Sequence, residues 1–395
     1  MSRPTSTFIF FFLASILNAQ WQESAVFIGT ARDDGVGFSI DGKGYAGSGR
    51  EVGFGFTNDF FEYDPETNEW TEVASLPSVA RQYCGRFSIA DTAYVVCGVS
   101  PDSYLNELWA YQPNSDEWVQ KAPFPGEPRS SPIAFAINGN AYVGTGRNAT
   151  EYFGDMWEYD PQTNQWNRID DFPGGDRFES LGMTIGGFAY AGIGRLEDRT
   201  FADDWWKFNP DNLEWTRMND FPGDIRYYGI EGSNNKVGII AGGQNAGDEF
   251  LNESYQYDPL KDSWTRLDNL PLDGIRGCFG FVVDNQFYLG TGLDENFDRR
   301  SEIYRIQLET SEDLEYQIYP NPFESIVKIF SSTHDLEAYC IYNLNGQELQ
   351  KTKLVAPTST IDIFVRGSNS EMLILEIEWT NGEITRDKIL RTKFR

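Results

Sequence analysis

Short apolar runs that alternate with polar residues recur along the first three quarters of the chain, and few show helical periodicity. In "IAFAINGNAYVGTG" (133–146) two such runs flank Asn138-Gly139, a pair that favours a tight hairpin turn. "GMTIGGFAYAGIG" (182–194) and "GFVVDNQFYLGTG" (280–292) repeat the pattern. A second unit follows, in which an aromatic residue ends one strand, a Pro-containing turn intervenes and Trp opens the next strand. It reads "YDPETNEW" (63–70), "YQPNSDEW" (111–118), "YDPQTNQW" (159–166), "FNPDNLEW" (208–215) and "YDPLKDSW" (257–264), with Trp residues 48, 48, 49 and 49 positions apart. Four strands per period of this length predict an all-β chain built as a β-propeller.

The blade count follows from what is missing. A sixth aromatic position stands at Tyr304 in "EIYRIQL", but no Trp follows at the expected distance. Trp21 lies 49 residues before Trp70, and Trp21 to Arg32 spans eleven residues, as does Trp70 to Arg81. "WQESAVFIGTAR" (21–32) therefore reads as an outer strand and its exit. Six blades are expected, the N-terminal strand completing the last one and covering its open edge. The repeated Trp residues are expected to pack between blades.

The glycines ending the second strand, the Tyr-Asp-Pro turn and the spaced Trp resemble Kelch repeats over roughly residues 21–308. Several units depart from the glycine doublet and read Gly-x-Gly (Gly144 and Gly146, Gly290 and Gly292), whereas Gly242-Gly243 keeps it. The resemblance implies a six-bladed Kelch-type β-propeller, assigned here to residues 20–310.

After the acidic linker "ETSEDLEYQ" the pattern changes to alternating strands, with turns expected at Asn345-Gly346 and Asn381-Gly382. A small Ig-like β-sandwich is expected over 311–395. Tyr319-Pro320-Asn321-Pro322, and the run from Ile341 through Gly346 to Gln347, resemble the C-terminal sorting domain of proteins exported by type IX secretion. The last element departs, since Ser370-Glu371-Met372-Leu373 stands where that family has a Gly followed by an aromatic. The resemblance implies the type IX machinery as a partner through residues 311–395. It also implies a secreted or outer-surface location reached through the periplasm. Residues 1–19 read as a signal peptide, with Arg3, an apolar run from Phe8 to Leu17 and a cut ahead of Gln20. No later apolar run approaches the ~20 residues of a membrane span, so the mature chain is expected to have none.

A net charge of −28 repels nucleic acid and anionic membrane surfaces. Four cysteines are too few for a disulfide framework. A turn at Ala90-Asp91 would set Cys84 opposite Cys97, and a disulfide or two buried thiols both fit that placement. The single histidine, His334, lies beyond the repeats, which leaves no His-ligated metal or His-based triad in the propeller. "LDENFDRR" matches no calcium-loop spacing, and no metal or cofactor is expected.

Arginine carries the remaining signal. Arg32, Arg81, Arg129, Arg177, Arg226 and Arg276 each follow a Trp by eleven or twelve residues, at the entry to an innermost strand. Arg50, Arg147 and Arg195 each follow a Gly in the loop after the second strand, on the same face. Together they are candidates to hold carboxylate, sulfate or phosphate at the channel mouth, with Tyr83, Tyr227, Tyr228 and Phe178 as stacking faces. Ion pairs to acids such as Glu51, Glu179, Glu197 and Glu231 are the competing use. The leading functional reading is a non-enzymatic module that binds a glycan or a protein. The alternative draws on exported six-bladed Kelch proteins that are sialic-acid mutarotases. There Arg holds the carboxylate and acidic groups move protons, a role for which Arg177 and Glu179 are the candidate catalytic pair.

Overall fold

The computed structural model describes residues 20–308, 316–319, 326–331, 334–343, 347–365, 372–380 and 384–390. The signal segment, Pro320, Asn321, Pro322, Gly346 and the two C-terminal turns lie outside these residues. Among the described residues there is no helix.

Six antiparallel sheets form the larger part, five of four strands and one, blade 4, of five because the short strand Arg177–Phe178 joins it. Blade 1 comprises Val36–Ile40, Lys43–Gly47, Phe60–Asp64 and Glu69–Val73. Blades 2 to 5 repeat this order, with inner strands Gly85–Ile89, Ile133–Ile137, Leu181–Ile185 and Ile230–Ser233. Blade 6 takes Phe279–Val283, Gln286–Gly290 and Ile303–Gln307 from its own repeat and its outer strand, Gln22–Glu23, from the N-terminus. Gln22 pairs with Arg305 and Glu23 with Tyr304. Each inner strand lies beside the next, and that of blade 6 lies beside that of blade 1, so the ring is closed.

Three further contacts fasten the closure. Trp21 is 6% exposed and donates its indole N–H to the Asp268 carbonyl at 3.0 Å. Phe27 packs edge-on against Phe61, Trp70 and Phe279, bridging blades 6 and 1. Arg299 of blade 6 adds a buried ion pair to Asp33 at 2.7 Å.

The Trp positions work between blades, as their spacing implied. Trp70, Trp118 and Trp166 donate to the carbonyls of Ala25, Ala74 and Ala122. The turn residue five places after the motif aromatic makes a second link. Asn68, Asp116 and Asn164 accept both from the motif tyrosine of their own blade and from a backbone N–H of the preceding connection.

The departure from the glycine doublet has a conformational reason. Each second strand ends in two successive residues with positive φ, for example Ser48 (59°) then Gly49 (99°), and Thr145 (53°) then Gly146 (91°). The first angle lies in the small left-handed region open to other residues at some cost, whereas the second lies where only glycine is at ease. One Gly per repeat is the requirement.

Beyond the propeller, Tyr316–Tyr319, Ile326–Ser331 and Thr360–Phe364 form one antiparallel sheet. Glu348–Thr358, Leu336–Tyr342, Met372–Trp379 and Ile384–Leu390 form another. Val327, Ile329, Ile341, Ile363, Leu375 and Trp379 share one core between them, which makes this a sandwich. Cys84 and Cys97 are free thiols in blade 2, as are Cys278 and Cys340 elsewhere.

Candidate functional site

The segments entering the inner strands reach the channel mouth by a repeated three-residue step. The first residue is buried in its blade and the second lies on the rim. The third turns toward the axis with positive φ: Asp34, Tyr83, Ser131, Glu179, Tyr228 and Gly277. Backbone N–H groups link five of these axial residues in a row, Asp34 to Gly277, Gly277 to Tyr228, Tyr83 to Asp34 and Ser131 to Tyr83, and Glu179 joins through the Ser131 hydroxyl. The mouth is thus a hydrogen-bonded collar.

At the first position the structure corrects the sequence-based ligand set. Arg32, Arg81, Arg129, Arg177 and Arg226 are at most 1% exposed and face into their own blades. Their acid partners are Asp59, Glu107, Asp155, Asp204 and Glu253. Each also donates to the backbone carbonyl sixteen residues on, at Ser48, Cys97, Thr145, Ile193 and Gly242. These guanidiniums are internal ties between strands and offer no face to a ligand. Arg177 is accordingly removed from the candidate catalytic pair.

Arg276 is different because its Trp spacing is twelve rather than eleven. Ile275 fills the register slot of the buried arginines, since its N–H meets the Leu251 carbonyl as that of Arg81 meets Thr57. The matching acid of blade 6, Glu302, is instead held by Arg300 at 2.7 Å. Arg276 is thereby displaced onto the rim. It lies 4.6 Å from the centroid of Tyr228, with Nε and Nη1 lacking hydrogen-bond partners among the described residues. Its Nη1 stands 4.0 Å from Asp34 Oδ1, also unpartnered, a separation too long for a direct hydrogen bond.

Arg50, Arg147 and Arg195 form the unneutralised set. Among the described residues none has an ion-paired carboxylate, and the Nε of each lacks a hydrogen-bond partner. Arg147 lies over Phe178 at 4.5 Å, Arg195 over Tyr227 at 5.9 Å and Arg50 over Phe54 at 4.7 Å. Stacking on rings holds a guanidinium in place while leaving its donor fork for an oxyanion.

Tyr83 and Tyr228, from opposite blades, approach across the axis with ring centroids 5.6 Å apart. Burial pushes both phenols up. Glu179 accepts from the Ser131 hydroxyl. Burial raises Glu179 to about 7, opposed by that hydrogen bond and by Arg147 and Arg276. Asp34 is held well above the usual carboxylate range, by burial first and then by Asp33.

Glu179 has its proton affinity raised on folding, from 4.5 to about 7. Stability tied to it is therefore full below pH 4.5 and declines as the pH rises through 7. Glu179→Gln removes that loss. Compared with the parent chain, the variant is expected to melt higher at pH 8 and equally at pH 4, and a constant difference across that range would contradict the assignment.

Beneath the collar, Asp34, Tyr83, Arg86, Ser131, Glu179, Tyr228 and Glu231 line a cavity of about 80 Å³. That is room for a few waters or one carboxylate-sized group. Arg86 was missed in the sequence because it lies inside an inner strand, outside the Trp-spaced set and the loops after the second strand, although Gly85 precedes it. The available signal was positional. The second residue of the six inner strands is Gly37, Arg86, Ala134, Gly182, Glu231 or Gly280, and only two of these carry long charged side chains.

A family model described as the secretion system C-terminal sorting domain matches residues 317–391, which include Tyr319, Pro320, Asn321, Pro322 and Gly346. One described as the Kelch motif matches residues 54–77, within blade 1. No curated protein matches the chain. Among solved structures, that of YjhT superposes with a TM-score of 0.61 at 16% identity, over 72% of this chain and 97% of that one. At such identity the likeness is one of fold.

Proposed function

We propose, for a chain that is a Kelch-repeat propeller exported through its type IX sorting domain to the cell surface or beyond, that the mouth binds a carboxylate-bearing glycan without transforming it. One contrast carries this reading. All five blade arginines are ion-paired with an acid, whereas among the described residues Arg50, Arg147 and Arg195 are in no ion pair, Glu179 acting on Arg147 only at longer range. In a chain of net charge −28, carboxylate partners are plentiful, so leaving three guanidiniums unmatched on one face points to an external anion.

The test is a glycan array followed by calorimetry with acidic and neutral oligosaccharides. Acidic chains should bind, and the double variant Arg147→Gln, Arg195→Gln should weaken them by roughly a hundredfold, about tenfold per lost charged hydrogen-bond pair. Equal binding of neutral chains, or no effect of the variant, sinks the reading. Recovery of a protein partner with no glycan bound would transfer the face to protein recognition.

The second reading is an enzyme of the mutarotase or epimerase type acting on sialic acid or another acidic sugar. The observation favouring it is Glu179, held near neutrality beside Arg147 and Arg276, where a carboxyl can both give and take a proton. In that reading Arg147 and Arg276 replace Arg177 as the carboxylate holders. Anomeric exchange of sialic acid followed by NMR decides it. An unchanged exchange rate with added protein removes the enzyme.

A further inference from the structure

Two side chains meet inside the channel itself. Arg86 projects from the inner strand of blade 2 and Glu231 from that of blade 5, directly across the ring. Nη2 and Oε1 lie 2.8 Å apart, with side-chain exposures of 21% and 11%. The other four blades carry Gly37, Ala134, Gly182 and Gly280 at this level, which leaves space for the two long side chains. In the layer below, the lumen-lining residues are Ser39, Ser88, Ala136, Thr184, Ser233 and Val282.

Filling a lumen does not require charge. Removing an Arg and a Glu from water is costly, and apolar replacements of similar volume are often as stable or more so. The pair is also a poor example of its kind. Arg177 and Asp204 meet through two parallel hydrogen bonds, of 2.5 and 2.8 Å, in a sealed site. Arg86 and Glu231 form an ion pair whose nearest atoms lie 2.8 Å apart in a less sealed site. The better bond of Arg86 runs from Nε to the Gly37 carbonyl at 2.7 Å, which fixes the guanidinium whether or not Glu231 is engaged.

Arg86 and Glu231 line two cavities at once, the one of about 80 Å³ under the collar and one of about 180 Å³ on the far side. In the upper cavity Ser131, Tyr83 and Tyr228 are part of the wall. Burial favours the uncharged forms of Asp34 and Glu179 there, so the wall repels an entering anion less than its composition implies.

We propose that Arg86 is an anion site within the channel, that Glu231 is its resident internal carboxylate, and that a small external carboxylate displaces Glu231 from it. The site shares with the mouth only the chemical class of its ligand.

The experiment titrates sodium acetate into the full mature chain at constant ionic strength, by calorimetry and by thermal shift. Glu231→Gln should bind acetate about tenfold or more tightly than the parent, because the internal competitor is gone while the fixed guanidinium stays. Arg86→Gln should lose acetate binding, alone or combined with Glu231→Gln. Glu231→Ala is the second variant, should the glutamine form fold poorly. A pair that serves only as a brace predicts opposite behaviour. Both single variants would then lose stability and neither would gain acetate affinity, which overturns the proposal. Equal acetate binding by all variants overturns it as well. The mouth is read separately with acidic oligosaccharides, so either reading can fail alone.

Discussion

Deleting residues 20–27 is expected to lower the melting temperature of the mature chain by roughly 10 °C or more. Buried Trp or Phe side chains lost to solvent or cavity cost about 3–5 kcal/mol each, and a domain of this size loses roughly 2–4 °C per kcal/mol. Two such anchors leave together. Trp21 sits in the cluster with Ile239, Phe287, Leu289 and Tyr304, and Phe27 in the cluster with Phe61, Trp70 and Phe279. The two ladder pairs of Gln22 and Glu23 are lost as well, which exposes the edge of Ile303–Gln307 to other chains. Differential scanning calorimetry of the truncated chain, with Trp21→Ala and Phe27→Ala as smaller steps, is the measurement. An unchanged transition would show that the ring is held closed by something other than its N-terminal strand.

Arg177→Met should cost about 3–5 kcal/mol, the usual consequence of stripping one partner from a buried, hydrogen-bonded charge pair. Among the described residues Asp204 has no other cation, it is 6% exposed, and the Ile193 carbonyl loses a donor at the same time. Adding Asp204→Asn should recover part of the loss. The stranded charge disappears, while the amide oxygen can still accept from Trp206, which now donates to Asp204 at 2.7 Å. Denaturant unfolding of the single and double variants gives the two values. A single-variant cost below about 1 kcal/mol, the range of exposed pairs, would return Arg177 to the surface set. Blade 6 already illustrates the apolar solution, with Ile275 in the arginine slot and Glu302 neutralised locally by Arg300.

The propeller was readable from the chain because its signals are periodic. Trp spacing, the hairpin turns and the Trp21-to-Arg32 match depend on strand length and turn geometry, which repeat in every blade. The site was only half readable, for the opposite reason. Equal spacing identified a sixfold arginine set, but spacing does not report which way a side chain points. One added residue before Arg276 moved it from the blade interior to the rim, and the arithmetic of eleven or twelve treated both as equivalent. Arg50, Arg147 and Arg195 were found because glycine marks their loops. Arg86 stayed hidden because its significance lies in contrast with five other blades at one register position, and that register emerges only when the strands are aligned.

The closing strand also sets an order of events. Gln22 and Arg305 are 283 residues apart, whereas Tyr45 and Glu62, paired within blade 1, are seventeen apart. That ratio is about four doublings of loop length, an added closure entropy of about 2.4 kcal/mol at roughly 0.6 kcal/mol per doubling. The thermodynamic cost is modest, but the kinetic constraint is strict. A chain emerging from its N-terminus presents Trp21 and Phe27 at the outset, and their binding surfaces on the last blade exist only after Ile303–Gln307 has been made. Every shorter intermediate is an open arc of blades with an unmatched strand at its beginning and an unfilled edge at its end.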